Sequence, residues 1–138
     1  MRCSVALTAL LWVASLPAGA GPDGDGTSPG FFSQEQAERG RAGYEATCKE
    51  CHAISEFKGE EFEWTWRRQT AWNLYEAMAT TMPEDDPGGL GAEAYVDIVA
   101  YLLQVNDYRA GSRDLAATES ELAAIALGAG AAKTRSGE

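Results

Sequence analysis

Cys48, Cys51 and His52 have residue types and a spacing that point to a specific chemistry. They form a C-x-x-C-H motif, and two thiols separated by two residues at a helix end can reach both vinyl groups on one side of a haem. The adjacent imidazole then faces the iron from the same side, and its neutral nitrogen is a good iron ligand. His52 is also the only histidine of the chain. The motif therefore predicts one haem bound covalently through Cys48 and Cys51, with His52 as an axial ligand of the iron.

Other uses of two neighbouring cysteines agree less well with the sequence. A thioredoxin-like redox pair is expected in a strand–helix context, which the pattern around the motif lacks. A disulfide between Cys48 and Cys51 would close a very small loop and contribute little stability. A zinc site would need a further carboxylate ligand, because the chain has neither a second C-x-x-C pair nor a pair of histidines. A non-haem redox or metal-binding domain is therefore the weaker alternative.

Two methionines downstream of the motif are candidates for the opposite side of the iron. Met78 shares a helical face with Leu74, which favours a role in core packing. Met82 precedes Pro83, which lacks an N–H and disfavours helical geometry in the residue before it. We therefore predict Met82 as the second axial ligand. Because His/Met ligation raises the reduction potential and leaves no open position, it favours electron transfer without catalytic residues. The alternative is a haem sensor or peroxidase with an open sixth position.

The N-terminal segment has the organisation of an export signal. Met1–Ala20 combines an early Arg2, an apolar run of about 12 residues and small residues at its end. Such a run spans about 18 Å as a helix, less than the roughly 30 Å of a bilayer's hydrocarbon core, so we expect no stable membrane insertion. We predict a signal peptide over residues 1–20, cleaved after about Ala20, and a periplasmic protein. Residues 21–32 are predicted as a flexible linker and residues 128–138 as a disordered tail.

The net charge of the chain excludes two classes of partner. The 138 residues carry a formal charge of −10, which becomes −11 when Arg2 is removed with the signal peptide. Nucleic-acid binding needs a basic face that replaces the counterions of phosphate groups. An anionic membrane surface would repel the same charge. The acidic groups around Glu56–Glu63 and Glu84–Asp86 are expected to be solvated and, if functional, to steer a basic partner.

Helical patterns dominate residues 33–127. Helices are predicted from Ser33 onward and over Thr70–Thr80, Ala92–Val105 and Glu119–Leu127. The first and fourth begin with capping-box pairs, Ser33 with Gln36 and Thr118 with Glu121. The third is apolar on nearly all sides, so neighbours must cover most of its surface. Since no segment shows sustained alternation of apolar and polar residues, we predict an all-α domain of three to four helices around one haem.

The pattern over residues 33–127 resembles class I cytochrome c. Gly40, Tyr44 and Cys48 have the spacing of that family's N-terminal helix, and residues 97–103 are similar to its C-terminal helix, with Tyr101 in the aromatic position. The resemblance implies a close crossing of the two helices at Gly40 and interlocking rings of Tyr44 and Tyr101. It also implies that Trp66 and Tyr101 pack against the haem, with the Trp66 indole N–H available to a propionate.

A narrower resemblance links the chain to haem domains that work with quinoprotein alcohol and sugar dehydrogenases. It is carried by Trp66, by the segments 59–62, 81–83 and 87–90, and by the third helix. It implies a quinoprotein dehydrogenase as electron donor and an oxidase or another cytochrome as acceptor. A place as the electron-accepting subunit of a dehydrogenase complex is the related alternative.

One feature of the chain departs from the cytochrome c pattern. Members of that family usually have a proline soon after the haem histidine, whose carbonyl accepts the imidazole N–H. This chain has no proline between His52 and Met82. The sequence therefore names no acceptor for the His52 ring N–H.

Overall fold

The computed structural model describes residues 30–128. The predicted signal peptide, linker residues 21–29 and tail residues 129–138 lie outside this range. The described residues contain five α-helices: α1 (Gln34–Gly43), α2 (Gly59–Trp66), α3 (Ala71–Thr81), α4 (Ala92–Val105) and α5 (Glu119–Leu122). A π-helical turn over Tyr44–Cys48 and a 3₁₀ turn over Ile54–Phe57 lie between α1 and α2. Two short strands, β1 (Phe32–Ser33) and β2 (Ala110–Gly111), pair in parallel.

The start of α1 agrees with the prediction, although its capping interactions differ. Ser33 is the N-cap, and its hydroxyl accepts a hydrogen bond from the Gln36 N–H at 3.0 Å. Gln36 is buried and pairs with Leu115 rather than with its own N-cap. Its amide donates to the Leu115 carbonyl at 2.9 Å and accepts from the Leu115 N–H at 2.7 Å. Gln36 therefore joins α1 to the segment that precedes α5.

The predicted second and third helices are confirmed as α3 and α4. α3 ends at Thr81, and Met82 is extended, with φ −128° and ψ 151°, as expected for the residue before a proline. α4 has the predicted bounds, and seven of its residues are buried: Tyr95, Val96, Ile98, Val99, Ala100, Leu102 and Leu103. Burial on this scale confirms that neighbouring elements cover α4 on most sides.

The crossing of α1 and α4 depends on Gly40. A Cβ at this buried position would overlap the backbone carbonyl of Asp97, so a larger residue is incompatible with the approach of the two helices. Arg39 forms an ion pair with Asp97 at 2.9 Å next to the crossing. The rings of Tyr44 and Tyr101 lie 5.6 Å apart at an angle of 52°. The crossing and the aromatic contact implied by the resemblance are both confirmed.

Three expectations about the periphery of the domain need correction. The linker ends earlier than residue 32, because Phe32 lies in β1 and is fully buried. The fourth helix ends at Leu122 rather than Leu127, since residues 125–127 pair with the start of α3. There the Ala71 N–H donates to the Ile125 carbonyl at 2.9 Å and the Leu127 N–H donates to the Gln69 carbonyl at 2.8 Å.

The second predicted capping box is also absent within the described residues. The Thr118 side chain makes no cap hydrogen bond to α5. The Glu121 carboxylate accepts from the Ala116 N–H at 3.1 Å and pairs with Arg113 instead. Electrostatic and backbone partners outside the helix therefore replace the reciprocal bonds of a capping box.

The sequence did not predict α2. Phe62 is the only buried residue of this eight-residue helix, and its spacing from Trp66 provides a single apolar pair at helical spacing, which is too short a pattern to predict a helix. With α2, the described residues contain five α-helices, whereas three or four were predicted. In the described part of the chain, no helix combines the length and apolarity needed to cross a bilayer.

Candidate haem site

The C-x-x-C-H motif lies in a tight turn that follows the π-helical turn. The N–H groups of Cys51 and His52 both donate to the Cys48 carbonyl, at 3.1 and 2.9 Å. Both thiols are free, so the small disulfide loop considered above is not formed. Cys48 is half-buried and burial raises the pKa of its thiol, whereas Cys51 is exposed. The turn thus brings two thiols and one imidazole to the same end of the helix.

The backbone and the ring of His52 have separate partners. The Tyr44 hydroxyl donates to the His52 carbonyl at 2.7 Å. The imidazole meets the ring of Phe57 edge-on at a centroid distance of 5.4 Å. Its Nδ1 lies 3.4 Å from Oε2 of Glu56. With Nδ1 directed at a carboxylate, Nε2 is the ring nitrogen available to a metal.

Glu56 is held in place by the chain as well as by the imidazole. Its Oε1 accepts a hydrogen bond from the Ala53 N–H at 2.9 Å. This backbone donor lowers the pKa of the carboxyl group, and the hydrogen bond with His52 adds to the effect. From the sequence, Glu56 was expected only to belong to a solvated acidic group. The spacing of four residues between His52 and Glu56 was the signal that would have paired them.

A cavity of about 590 Å³ opens beside the turn. This volume lies within the range of small-molecule and cofactor sites. Its walls are partly aromatic and partly charged; the lining residues are Tyr44, Glu45, Lys49, Glu50, Cys51, His52, Ala53, Ile54, Glu56 and Tyr101. The structure therefore brings three of the predicted site residues, Cys51, His52 and Tyr101, to one cavity.

Met82 is placed differently from these residues. It is not part of the cavity wall, and 38% of its surface is exposed. Its backbone is fixed on both sides, because its N–H donates to the Met78 carbonyl at 2.9 Å and its carbonyl accepts from the Tyr95 hydroxyl at 2.5 Å. The sequence did not predict this contact of the Tyr95 hydroxyl. The thioether is therefore the partly exposed end of a residue whose backbone is anchored.

The tryptophans around α2 have distinct surroundings. Trp66 is half-buried and packs against Phe62, with ring centroids 6.5 Å apart, and it does not line the cavity. Trp72 stacks on Tyr75, with ring centroids 5.4 Å apart, and packs against the core. Trp64 is 66% exposed, with the Arg67 guanidinium 3.7 Å from the centre of its ring. Arg67 is therefore engaged with Trp64 by a cation–π contact.

Comparison with known families agrees with the fold. Residues 35–102 match the family model described as cytochrome c oxidase, cbb3-type, subunit III, over just under half of the chain. The fold is that of an all-α cytochrome c domain. No curated protein and no solved structure matches the chain. A cytochrome c domain implies haem c with its iron, a function in electron transfer and redox proteins as partners.

The residues at the site fit this cofactor. Cys48 and Cys51 are free thiols separated by two residues. The Nδ1 atom of His52 faces Glu56, which leaves Nε2 on the other side of the ring available to the iron. The cavity beside them has aromatic walls from Tyr44 and Tyr101. Within residues 30–128, no three or more His, Cys, Asp or Glu side chains are grouped to hold a metal ion. Cys51 and His52 line the cavity, and Cys48 lies outside its wall at the start of the same turn. Together these residues supply the two thiols and one imidazole that a haem c requires.

Proposed function

We propose that the protein is a periplasmic c-type cytochrome that carries one electron at a time between redox partners. One observation carries the proposal: the turn that folds Cys51 and His52 onto the Cys48 carbonyl lies at a cavity large enough for a cofactor. In this proposal Cys48 and Cys51 bind a single haem covalently, and His52 and Met82 are the axial ligands. When bound, the haem supplies a reversible one-electron couple of its iron.

The protein residues then have defined tasks. Cys48 and Cys51 hold the cofactor in one orientation through two thioether bonds. The turn and the Tyr44 hydroxyl fix the backbone of His52, so that its imidazole is preoriented as a ligand. Met82, on a backbone anchored by Tyr95, supplies a soft sulfur ligand that favours the reduced iron. We propose that Tyr101 packs on the haem from the cavity wall, and Trp66 from α2 next to it.

Covalent attachment is the first property to test. The protein should be produced in a host that attaches haem, denatured and extracted with acidified acetone. We expect the pigment to remain with wild-type protein, and the Cys48→Ala/Cys51→Ala double variant to lose it. Pigment that can be extracted from the wild type, or a wild type without pigment, would contradict the proposal.

A second candidate function rests on the position of Met82. Because Met82 is partly exposed and lies outside the cavity wall, an open sixth position would make the protein a haem sensor or peroxidase. Rapid binding of carbon monoxide by the reduced wild type would favour this function. A saturated iron that excludes carbon monoxide would favour electron transfer.

The partners are proposed from the two resemblances. The similarity to haem domains of quinoprotein dehydrogenases supports such an enzyme as donor, with this chain either free or as its subunit. The family model carries the name of an oxidase subunit, which supports a terminal oxidase or another cytochrome as acceptor. Reduction of the oxidised protein by a quinoprotein dehydrogenase and its substrate tests the donor directly.

A further inference from the structure

We propose that Glu56 is a positioning residue that holds His52 and lowers the reduction potential of the iron it binds. This inference rests on the proposed function, in which His52 is an axial ligand. Its basis is the contact of 3.4 Å between His52 Nδ1 and Glu56 Oε2. In the chain, this carboxylate takes the place of the proline carbonyl that the sequence lacks between His52 and Met82.

The two oxygens of Glu56 have different partners. Oε1 accepts from the Ala53 N–H at 2.9 Å, which fixes the carboxylate at the beginning of the 3₁₀ turn. Oε2 is then directed at the imidazole one turn earlier in the chain. A contact of 3.4 Å is longer than the roughly 2.7–3.2 Å of most N–H···O hydrogen bonds. The hydrogen bond between Glu56 and the imidazole is therefore weak. We expect it to tune the electronic properties of the imidazole, whereas the two cysteines attach the haem.

The end of the same turn is held by Asn106, a buried residue that follows α4. Its side-chain amide donates to the Phe57 carbonyl at 2.8 Å and accepts from the Gly59 N–H at 2.9 Å. The Phe57 ring in turn packs against the imidazole of His52. Because both ends of the turn are fixed, Glu56 and Phe57 present two defined contacts to the ring.

The chemical effect follows from charge. A metal-bound histidine usually donates its second ring N–H to a carboxylate, a carbonyl or water, and this partner sets the tautomer and raises the basicity of the ligand. A full negative charge donates more electron density through the imidazole than a neutral carbonyl does. It therefore stabilises the more positive, oxidised iron and lowers the reduction potential.

The decisive variant is Glu56→Gln in the haem-loaded protein. The glutamine oxygen can still accept from the Ala53 N–H and from Nδ1, while the negative charge is removed. Glu50→Gln is the matched control, because Glu50 lines the same cavity and loses the same charge. We expect Glu56→Gln to shift the reduction equilibrium towards the reduced state by about two- to fivefold, because solvent screens this exposed carboxylate. Glu50→Gln should shift it clearly less.

A second measurement separates positioning from general charge. In nuclear magnetic resonance spectra of the haem protein, exchange of the His52 Nδ1 proton with solvent should be faster in Glu56→Ala than in Glu50→Ala. Glu56→Asp, which keeps the charge and shortens the side chain, should also show faster exchange than the wild type. This variant provides the same test if Glu56→Ala attaches haem poorly.

The outcomes separate the two proposals. If the wild type keeps its haem but Glu56→Gln and Glu50→Gln shift the potential equally, the role of Glu56 is wrong and the proposed function stands. Equal exchange rates in the Glu56 and Glu50 variants would overturn it in the same way. If the wild type carries no covalent haem, the proposed function fails, and the role of Glu56 fails with it.

Discussion

Met82 and His52 are held by the chain in different ways. The ring of His52 contacts Phe57 and Glu56, so its orientation is set by neighbouring side chains. In Met82 the backbone is anchored by Met78 and Tyr95, and the side chain is partly exposed. A ligand that is fixed only at its backbone can leave the iron more readily than one whose side chain is packed. Met82 is thus the residue on which the choice between electron carrier and sensor depends.

Replacing Met82 by alanine tests this assignment. We expect Met82→Ala to lower the reduction potential, because a soft sulfur ligand stabilises the reduced iron, and to let the reduced protein bind carbon monoxide. Redox titration and the carbon monoxide difference spectrum measure the two effects. Met78→Ala is the matched control: Met78 packs beside the core, so its loss should lower the free energy of unfolding by about 2 kcal/mol and leave the spectrum unchanged. A wild type that binds carbon monoxide as readily as Met82→Ala would contradict the assignment.

Among the elements, α1 and α4 form the contact on which the rest of the domain is built. Gly40 lies against the Asp97 carbonyl, and Tyr44, at the end of α1, contacts both Tyr101 and the His52 backbone. The helix crossing and the candidate ligand are therefore connected through a single side chain. A displacement of α1 relative to α4 would move the C-x-x-C-H turn as well.

We expect Gly40→Ala to be strongly destabilising, because its Cβ would overlap backbone atoms that cannot rotate away. The free energy of unfolding should fall by about 3 kcal/mol or more, as in severe overpacking. Gly43→Ala is the matched control on the same helix, since its Cβ would lie 3.6 Å from the Ile98 side chain, an ordinary contact. Alanine there should be neutral or stabilising by up to about 1 kcal/mol. Chemical denaturation of both variants measures the difference, and similar losses would show that the crossing does not depend on Gly40.

The elements that the sequence predicts are those defined by local rules. Ser33 caps α1, Pro83 follows the end of α3, and the apolar periodicity of α4 gives its bounds. α2 was missed because one apolar pair, Phe62 and Trp66, is too short a pattern to establish a helical period. α5 was predicted too long because pairing of residues 125–127 with the start of α3 is a contact between distant parts of the chain. Local patterns contain no information about such pairing.

At the candidate site, too, features set by local spacing were predicted, and contacts between distant elements were not. The C-x-x-C-H spacing is local, and it predicted which residues meet at the turn. The anchoring of Met82 by Tyr95 joins two elements and therefore could not be read from either segment alone. Glu56 falls between these cases, because its spacing from His52 is local, but its choice of partner depends on the 3₁₀ turn and the Ala53 N–H.

At the scale of the whole molecule, the surplus of negative charge is the main long-range property. Three arginines of the described residues are neutralised by ion pairs, Arg39 with Asp97 and Asp114, Arg41 with Glu45, and Arg113 with Glu121. The cavity beside His52 has three glutamates and one lysine in its wall. The cavity wall is therefore negatively charged, like the chain as a whole with its net charge of −10. A cation approaching this cavity is attracted both at long range and at the mouth.

This charge predicts opposite salt effects for oxidants of opposite charge. Oxidation of the reduced haem protein by the cation tris(phenanthroline)cobalt(III) should slow by about tenfold as ionic strength rises from roughly 0.01 to 0.2 M, because salt screens the attraction. Oxidation by ferricyanide, an anion, should accelerate over the same range. Stopped-flow absorbance of the haem measures both rates. Glu50→Gln at the cavity should weaken the salt dependence more than Glu93→Gln, which removes an equal charge from the first turn of α4. If both oxidants respond to salt in the same direction, the acidic surface does not steer the electron-transfer partner.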